Sequence, residues 1–126
     1  MKKALIIANM ISYFAIVIEG KHTGGIWLFY TLLGLFFLKI HSFLIVIGTI
    51  CFVRCYYETN KRKNLWFSIL ATICYYSALI IFFVFNKDRY NYGTFDRVIS
   101  WVTFSIFSLL NVIYILYILF KRKPNR

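Results

Sequence analysis

The chain reads as an all-α integral membrane protein, an antiparallel four-helix transmembrane bundle. Three observations predict this. Of its 126 residues, 61% are hydrophobic and only 15% charged. The apolar residues fall into four long runs with short polar stretches between them. The basic residues sit at the ends of those runs and not within them, with Lys39 as the exception. A soluble domain of this size hides only about two thirds of its surface and needs polar residues for the rest. This chain has too few, so lipid must cover the remainder. The same composition excludes disorder, and the length allows one domain, 1–126.

The first run opens with Met1-Lys2-Lys3 and continues apolar to Ile18. A charged start before an apolar core resembles a signal peptide, but Glu19-Gly20-Lys21-His22 offers no small-x-small cleavage site. It is therefore predicted to be an uncleaved first span, about 4–19, with Glu19 at the outer interface. Lys21 to Gly25 is predicted to be a tight polar turn broken by Gly24-Gly25.

The second run, about 26–57, is expected as a single helix. At 1.5 Å per residue it exceeds the ~30 Å hydrocarbon core, so it must tilt, kink or project. Residues 58–64 form a polar connection. The third span is about 65–85, and residues 86–97 form the longest polar loop. Thr94 or Asp96 is a candidate cap for the fourth span, about 98–120. Pro124 stops that helix within a basic tail.

Charge sets the expected orientation. With both termini cytoplasmic in a multi-pass cell-membrane (inner-membrane) protein, ten basic residues lie inside and four outside. Trp27, Trp66 and Trp101 each fall near the start of a span, where interfacial aromatics belong. The net charge of +11 invites a nucleic-acid reading, but its position at the run ends is the pattern of topology and anchoring, so no nucleic-acid partner is expected. The basic tail and the Lys61 loop are placed to touch anionic lipid.

Helical wheels predict which faces meet. In the second run, Phe29, Leu32, Leu33, Phe36, Ile40, Phe43, Leu44, Ile47 and Ile50 form one apolar, lipid-facing arc. Thr31, Gly34, His41, Ser42, Gly48 and Thr49 form a packed arc, with Lys39 at its border. The other predicted packing stripes are Ala4, Ala8, Ser12, Ala15 and Glu19, with Asn9 alongside; Ser68, Ala71, Thr72, Tyr75 and Ala78; and Ser100, Thr103, Phe107, Asn111 and Tyr114. Small and polar residues let helices approach and hydrogen-bond across the gap.

Candidate functional residues are the polar groups inside the spans: Lys39, His41, Ser42, Glu19, Asn9 and Asn111. On a continuous helix Lys39 lies roughly 20 Å from either end. It either contacts an anion or relays protons, or it snorkels to a head-group layer as the helix slides. The wheel places His41 about 200° from Lys39, so the two do not form one site. His41 reads as a buried, satisfied histidine or as a relay. Asn9 and Asn111 read as interhelical hydrogen-bonding groups. Cys51, Cys55 and Cys74 read as small apolar fillers, because C-x-x-x-C is not the redox spacing and no metal set accompanies it. Small size, four spans and a carboxylate in the first resemble the small multidrug resistance transporters. In that family the glutamate sits mid-helix, whereas Glu19 closes its run, so no residue role carries over.

No catalytic motif, phosphate-binding glycine loop or close carboxylate pair occurs, and only four residues are acidic. No enzymatic activity, metal or cofactor is expected. The expected role is helix association, as a homo-oligomer or with a larger membrane protein partner: an accessory subunit, or a membrane-perturbing oligomer of the holin-like or defence-effector kind. The alternative is a small proton-coupled transporter or channel using Glu19, Lys39 or His41.

Overall fold

The computed structural model describes residues 1–19, 24–85 and 97–121. In order these form α1 (Lys2–Phe14), β1 (Val17–Glu19), β2 (Gly24–Ile26), α2 (Trp27–Phe36), α3 (Ile40–Tyr57), α4 (Lys61–Phe85) and α5 (Val98–Phe120). Three of the five helices, α3, α4 and α5, are long and apolar enough to cross a membrane. The fold is thus helical as expected, but it has five described helices where four were expected, and a small hairpin besides.

Two of the expected elements differ. The first run is not one helix over 4–19. α1 has 13 residues and stops at Phe14, a length of about 20 Å. The β-branched Ile16, Val17 and Ile18 then extend into β1, as their restricted χ1 favours. β1 pairs antiparallel with β2 in the register Val17–Ile26, Ile18–Gly25, Glu19–Gly24. Gly24 and Gly25 therefore belong to a strand and not to the expected turn, while Lys21 and His22 lie outside the described residues, as do Thr94, Asp96 and Pro124. The Trp27 N–H extends the pairing to the Ile16 carbonyl at 2.7 Å, and the Val17 N–H reaches Thr103 Oγ1 of α5 at 3.2 Å.

The second run is two helices and not one. The chain breaks at Phe37-Leu38-Lys39. The Lys39 N–H donates to the Gly34 carbonyl at 2.7 Å and the Leu38 N–H to the Leu35 carbonyl at 3.2 Å. These are the two crossed bonds of a Schellman ending. The residue at its left-handed position is Leu38, with φ 53°, where glycine is usual. Lys39 is then extended (φ −80°, ψ 138°) and starts α3.

Neighbouring long helices alternate in direction. Thr49 meets Tyr75 and Cys55 meets Ser68, so α3 and α4 run antiparallel. Thr72 meets Asn111 and Tyr114 meets Asn64, so α4 and α5 do too. α1 lies antiparallel to α5, with Asn9 on the Leu110 carbonyl and Val17 on Thr103. α3 and α4 approach closely at Gly48, where an added Cβ would lie 2.7 Å from the Tyr75 ring. α4 begins earlier than the expected polar connection allows, because Asn60 Oδ1 accepts the Arg62 N–H (3.0 Å) and caps its first turn.

The centre of the core is aromatic. Tyr13 stacks on Tyr75 with centroids 3.9 Å apart, and its hydroxyl donates to the Tyr75 carbonyl at 2.8 Å. Phe107 and Phe52 close around the pair. The wheel arcs of the second run hold except at Leu44: Thr31, Gly34, His41, Ser42 and Gly48 are buried and Thr49 is half-buried, Phe29, Leu32, Leu33, Phe36, Ile40, Phe43, Ile47 and Ile50 are exposed, and Leu44, expected on the outward arc, is half-buried against the core. The α4 and α5 stripes are buried or half-buried as well. The α1 stripe is out of phase. Ala4 and Ala15 are exposed, and the buried face is Ile6, Asn9 and Tyr13. Trp66 and Trp101 face outward, but Trp27 is fully buried, contrary to its expected interfacial place.

A left-handed backbone costs an L-residue roughly 1–2 kcal/mol, and glycine escapes that cost. Leu38 is 75% exposed, so little packing is lost with its side chain. Leu38→Gly is therefore expected to stabilise the fold by about 1 kcal/mol, read as a higher thermal midpoint in detergent micelles. A lower midpoint would contradict the strained turn.

Candidate functional site

The break between α2 and α3 gathers the densest set of polar candidates. Ser42 Oγ donates to the Thr31 carbonyl of α2 at 3.0 Å. Thr31 Oγ1 donates in turn to the Trp27 carbonyl at 3.0 Å. The His41 ring lies between Trp27 (5.8 Å) and Phe82 of α4 (5.2 Å, edge-on). His41 Nε2 has no hydrogen-bond partner among the described residues. Nε2 faces Gly34: a Cβ there would lie 2.7 Å from it and 2.0 Å from Ser42 Oγ. Nε2 is thus enclosed against α2. Trp27 Nε1 turns toward the Tyr13 hydroxyl but falls short of hydrogen-bond geometry.

Lys39 does not join this set. The helix break moves it from the middle of a supposed 32-residue span to the first corner of α3, with an exposed side chain. It occupies the end of α3 opposite Tyr57, about 27 Å away by helical rise. Glu19 closes β1 opposite Gly24; its carboxylate lies outside what the structure describes.

Asn9 and Asn111 belong to a second locus, where α1 and α4 each bond α5. Asn9 Nδ2 donates to the Leu5 carbonyl (3.0 Å) and the Leu110 carbonyl (3.1 Å). Asn111 Oδ1 lies 3.1 Å from Thr72 Oγ1, which also reaches the Ser68 carbonyl at 2.8 Å. One hydroxyl proton cannot fully serve both acceptors. With the Asn111 amide turned over, Nδ2 donates to Thr72 and Thr72 donates to Ser68. The three cysteines are buried free thiols in the core, and Cys55 Sγ lies 3.4 Å from Ser68 Oγ.

A third locus was only partly foreseen. The starts of α1 and α4 and the ends of α3 and α5 surround a cleft of about 1340 Å³. Lys2 Nζ donates to the Glu58 carbonyl. Lys61 Nζ donates to the Leu119 (2.7 Å) and Lys121 (3.1 Å) carbonyls, capping α5. Lys3 lies over the Tyr56 ring at 4.7 Å and Lys121 over Tyr117 at 5.8 Å. Burial pushes the Lys2 ammonium below its ordinary value; Lys121 and Lys3 add to the effect, and Cys55 and Glu58 oppose it. The sequence signal for this locus was the run-end lysines. What it did not carry was their convergence on one hollow.

The chain matches no known family model, no curated protein and no solved structure.

Gly34→Ala is expected to cost about 2–3 kcal/mol, because an overpacked core loses 1–3 kcal/mol and the contact here is with two side chains at once. Adding Ser42→Ala should recover part of that loss, although Ser42→Ala alone gives up a hydrogen bond worth about 1 kcal/mol. Thermal midpoints of the two single variants and the double in detergent check this. Additive losses would mean that Gly34 and Ser42 do not touch.

Proposed function

We propose that the chain is a multi-pass membrane protein with both termini cytoplasmic, that its helices form a bundle, and that it acts by association: as an accessory subunit of a larger membrane protein or as an oligomer that perturbs the bilayer. Three helices of 18, 25 and 23 residues, each containing an 18-residue stretch of mean hydropathy 1.6, 2.2 and 2.2 respectively, support the membrane reading. The positive-inside rule supports the orientation, since Lys2, Lys3, Lys61, Arg62 and Lys121 gather at one end. A sequence with four acidic residues and no catalytic motif favours a non-enzymatic role.

The observation that carries association is α2. Ten residues rise only about 15 Å, too short to cross the ~30 Å hydrocarbon core. Its polar and small residues, Thr31 and Gly34, are spent on α3. Phe29, Leu32, Leu33 and Phe36 remain exposed, followed by Phe37 and Leu38 in the turn. An apolar helix too short to span works as a wedge in one leaflet or as a docking ridge for another membrane protein.

The protein purified from its native membrane is expected to carry more than one chain per particle, or to retain a membrane partner in pull-down. Phe29→Ala combined with Phe36→Ala should reduce that association at least severalfold without loss of helicity. A strict monomer that captures no partner would remove the proposal.

A second reading is a small proton-coupled transporter or channel using Glu19, Lys39 or His41; His41 Nε2 has no partner among the described residues but is enclosed against Gly34, so this reading needs α2 to move. On that reading Lys39→Leu and Glu19→Gln, made separately, abolish ion or substrate flux in liposomes while leaving insertion intact. Unchanged flux in both would end it.

A further inference from the structure

The basic cleft has a chemistry that neither association nor transport uses. Among the described residues its lining carries five cations, Lys2, Lys3, Lys61, Arg62 and Lys121, against one acid, Glu58. They come from three helices, so the convergence is a product of the fold and not of one charged segment. The Glu58 carboxylate is already engaged: its Oε1 accepts the Asn60 N–H at 2.9 Å. The ammonium groups are held by carbonyls and tyrosine faces. An ammonium has three donors, so Lys2 and Lys61 keep hydrogen-bonding capacity after their carbonyl bonds, and Lys3 and Lys121 keep more. Such contacts fix the cations in place without neutralising them. The hollow is also larger than an ion needs, being at or above the size of a drug-scale pocket of about 300–1,000 Å³. Its walls grade from cations to the apolar Leu65 and Ile118.

We propose that this cleft holds the phosphate of an anionic phospholipid, with the head group among the lysines and the first part of an acyl chain along Leu65 and Ile118. The proposal rests on the membrane reading above. The cleft lies at the ends of helices long enough to span, which is where head groups are found, and Tyr56 and Tyr117 supply rings with one apolar and one polar side, suited to that layer. Basic pockets between helices on the cytoplasmic side bind phosphate head groups by this charge chemistry. Burial already disfavours the charged form of Lys2, and a bound phosphate would offset that cost. Lys2 and Lys61 clamp helix ends together through backbone carbonyls, whereas Lys3 and Lys121 rest on tyrosine rings, a contact that leaves their N–H donors for a ligand.

The test titrates the purified full chain in detergent with phosphatidylglycerol and, separately, phosphatidylcholine, and reads bound lipid by native mass spectrometry. Lys3→Gln/Lys121→Gln removes two cleft charges. Arg54→Gln/Lys63→Gln removes two exposed charges near the same end that do not line the cleft. At about 1 kcal/mol per basic residue, the cleft pair should weaken phosphatidylglycerol binding by about tenfold or more, and the outer pair by no more than about threefold. Phosphatidylcholine should bind weakly to all three proteins. Equal losses for the two pairs would overturn the proposal in favour of diffuse charge attraction. Inorganic phosphate that displaces the lipid completely would overturn the lipid as the source of the phosphate. If the cleft pair loses helicity by circular dichroism, Arg62→Gln replaces it, with the same expected direction and Lys63→Gln as its control. The number of chains per particle is read from the same spectra, so failure of association and failure of lipid binding are separate results. Release of the protein from membranes by alkaline carbonate would remove the membrane reading itself, whatever the titration gives.

Discussion

One hydrogen bond decides where Thr31, Lys39, His41 and Ser42 go. The Lys39 amide donates to the Gly34 carbonyl and ends α2 inside an apolar run that could otherwise continue as helix. On the proposed membrane reading, the apolar medium punishes any helix end, since its carbonyls and amides have no water to turn to. The Schellman bonds remove that penalty for the carbonyls at Gly34 and Leu35. The cost is moved to Leu38, which takes the left-handed conformation. Once the chain has turned, α2 lies over the start of α3. Gly34 can then touch His41 and Ser42, Ser42 can bond Thr31, and Trp27 enters the core beside Phe82.

Much of this was legible because burial and periodicity are linked. The outward arc of the second run, and the α4 and α5 stripes, follow from counting at 100° per residue. They survive the break because each half of the run keeps its own apolar face and the three turn residues are exposed. The break itself was not legible. Glycine at the turn would have announced it, and the residue there is leucine. With the helix taken as continuous, Lys39 fell at mid-membrane; with the turn in place it is a helix-corner residue. The α1 stripe failed for a different reason. Counting small residues assumes that helices meet by close backbone approach. α1 instead meets α4 through a large ring, Tyr13 on Tyr75, whose hydroxyl finds a carbonyl acceptor. Trp27 failed because the interfacial rule presumes that a helix starts at the surface, and here a hairpin feeds α2 from within.

The candidate site was legible as residue types and not as groupings. His41 and Ser42 are together, Asn9 and Asn111 belong to a second locus, and Lys39 is apart from both. Side-chain partners decide this, and they sit 11 to 101 residues away in sequence. The polar stripes were the sequence's argument for association between chains. They are largely consumed within one chain, by Asn9 on Leu110, Thr72 on Asn111 and Tyr114 on Asn64. What the fold leaves for partners is therefore of two kinds: an apolar outer surface led by α2, and a cationic cleft at the far end of the long helices.

The first 19 residues pose the remaining physical question, since α1 alone is too short to cross a bilayer. On the proposed membrane reading, α1 contributes about 20 Å of rise and the three residues of β1 about 10 Å, which together match the ~30 Å hydrocarbon core. A strand inside that layer must find partners for its backbone groups. β2 supplies the bonds along one edge of β1, and Thr103 of α5 supplies an acceptor for the Val17 amide. Thr103 can accept here because its one hydroxyl proton points to the Ile99 carbonyl (2.9 Å) or the Ser100 carbonyl (3.1 Å), which leaves its lone pairs for the Val17 amide. A short helix continued by a paired strand thus meets part of the requirement that a full transmembrane helix meets within itself. It also explains how a chain with three helices of spanning length brings Lys2 and Lys121 to one end.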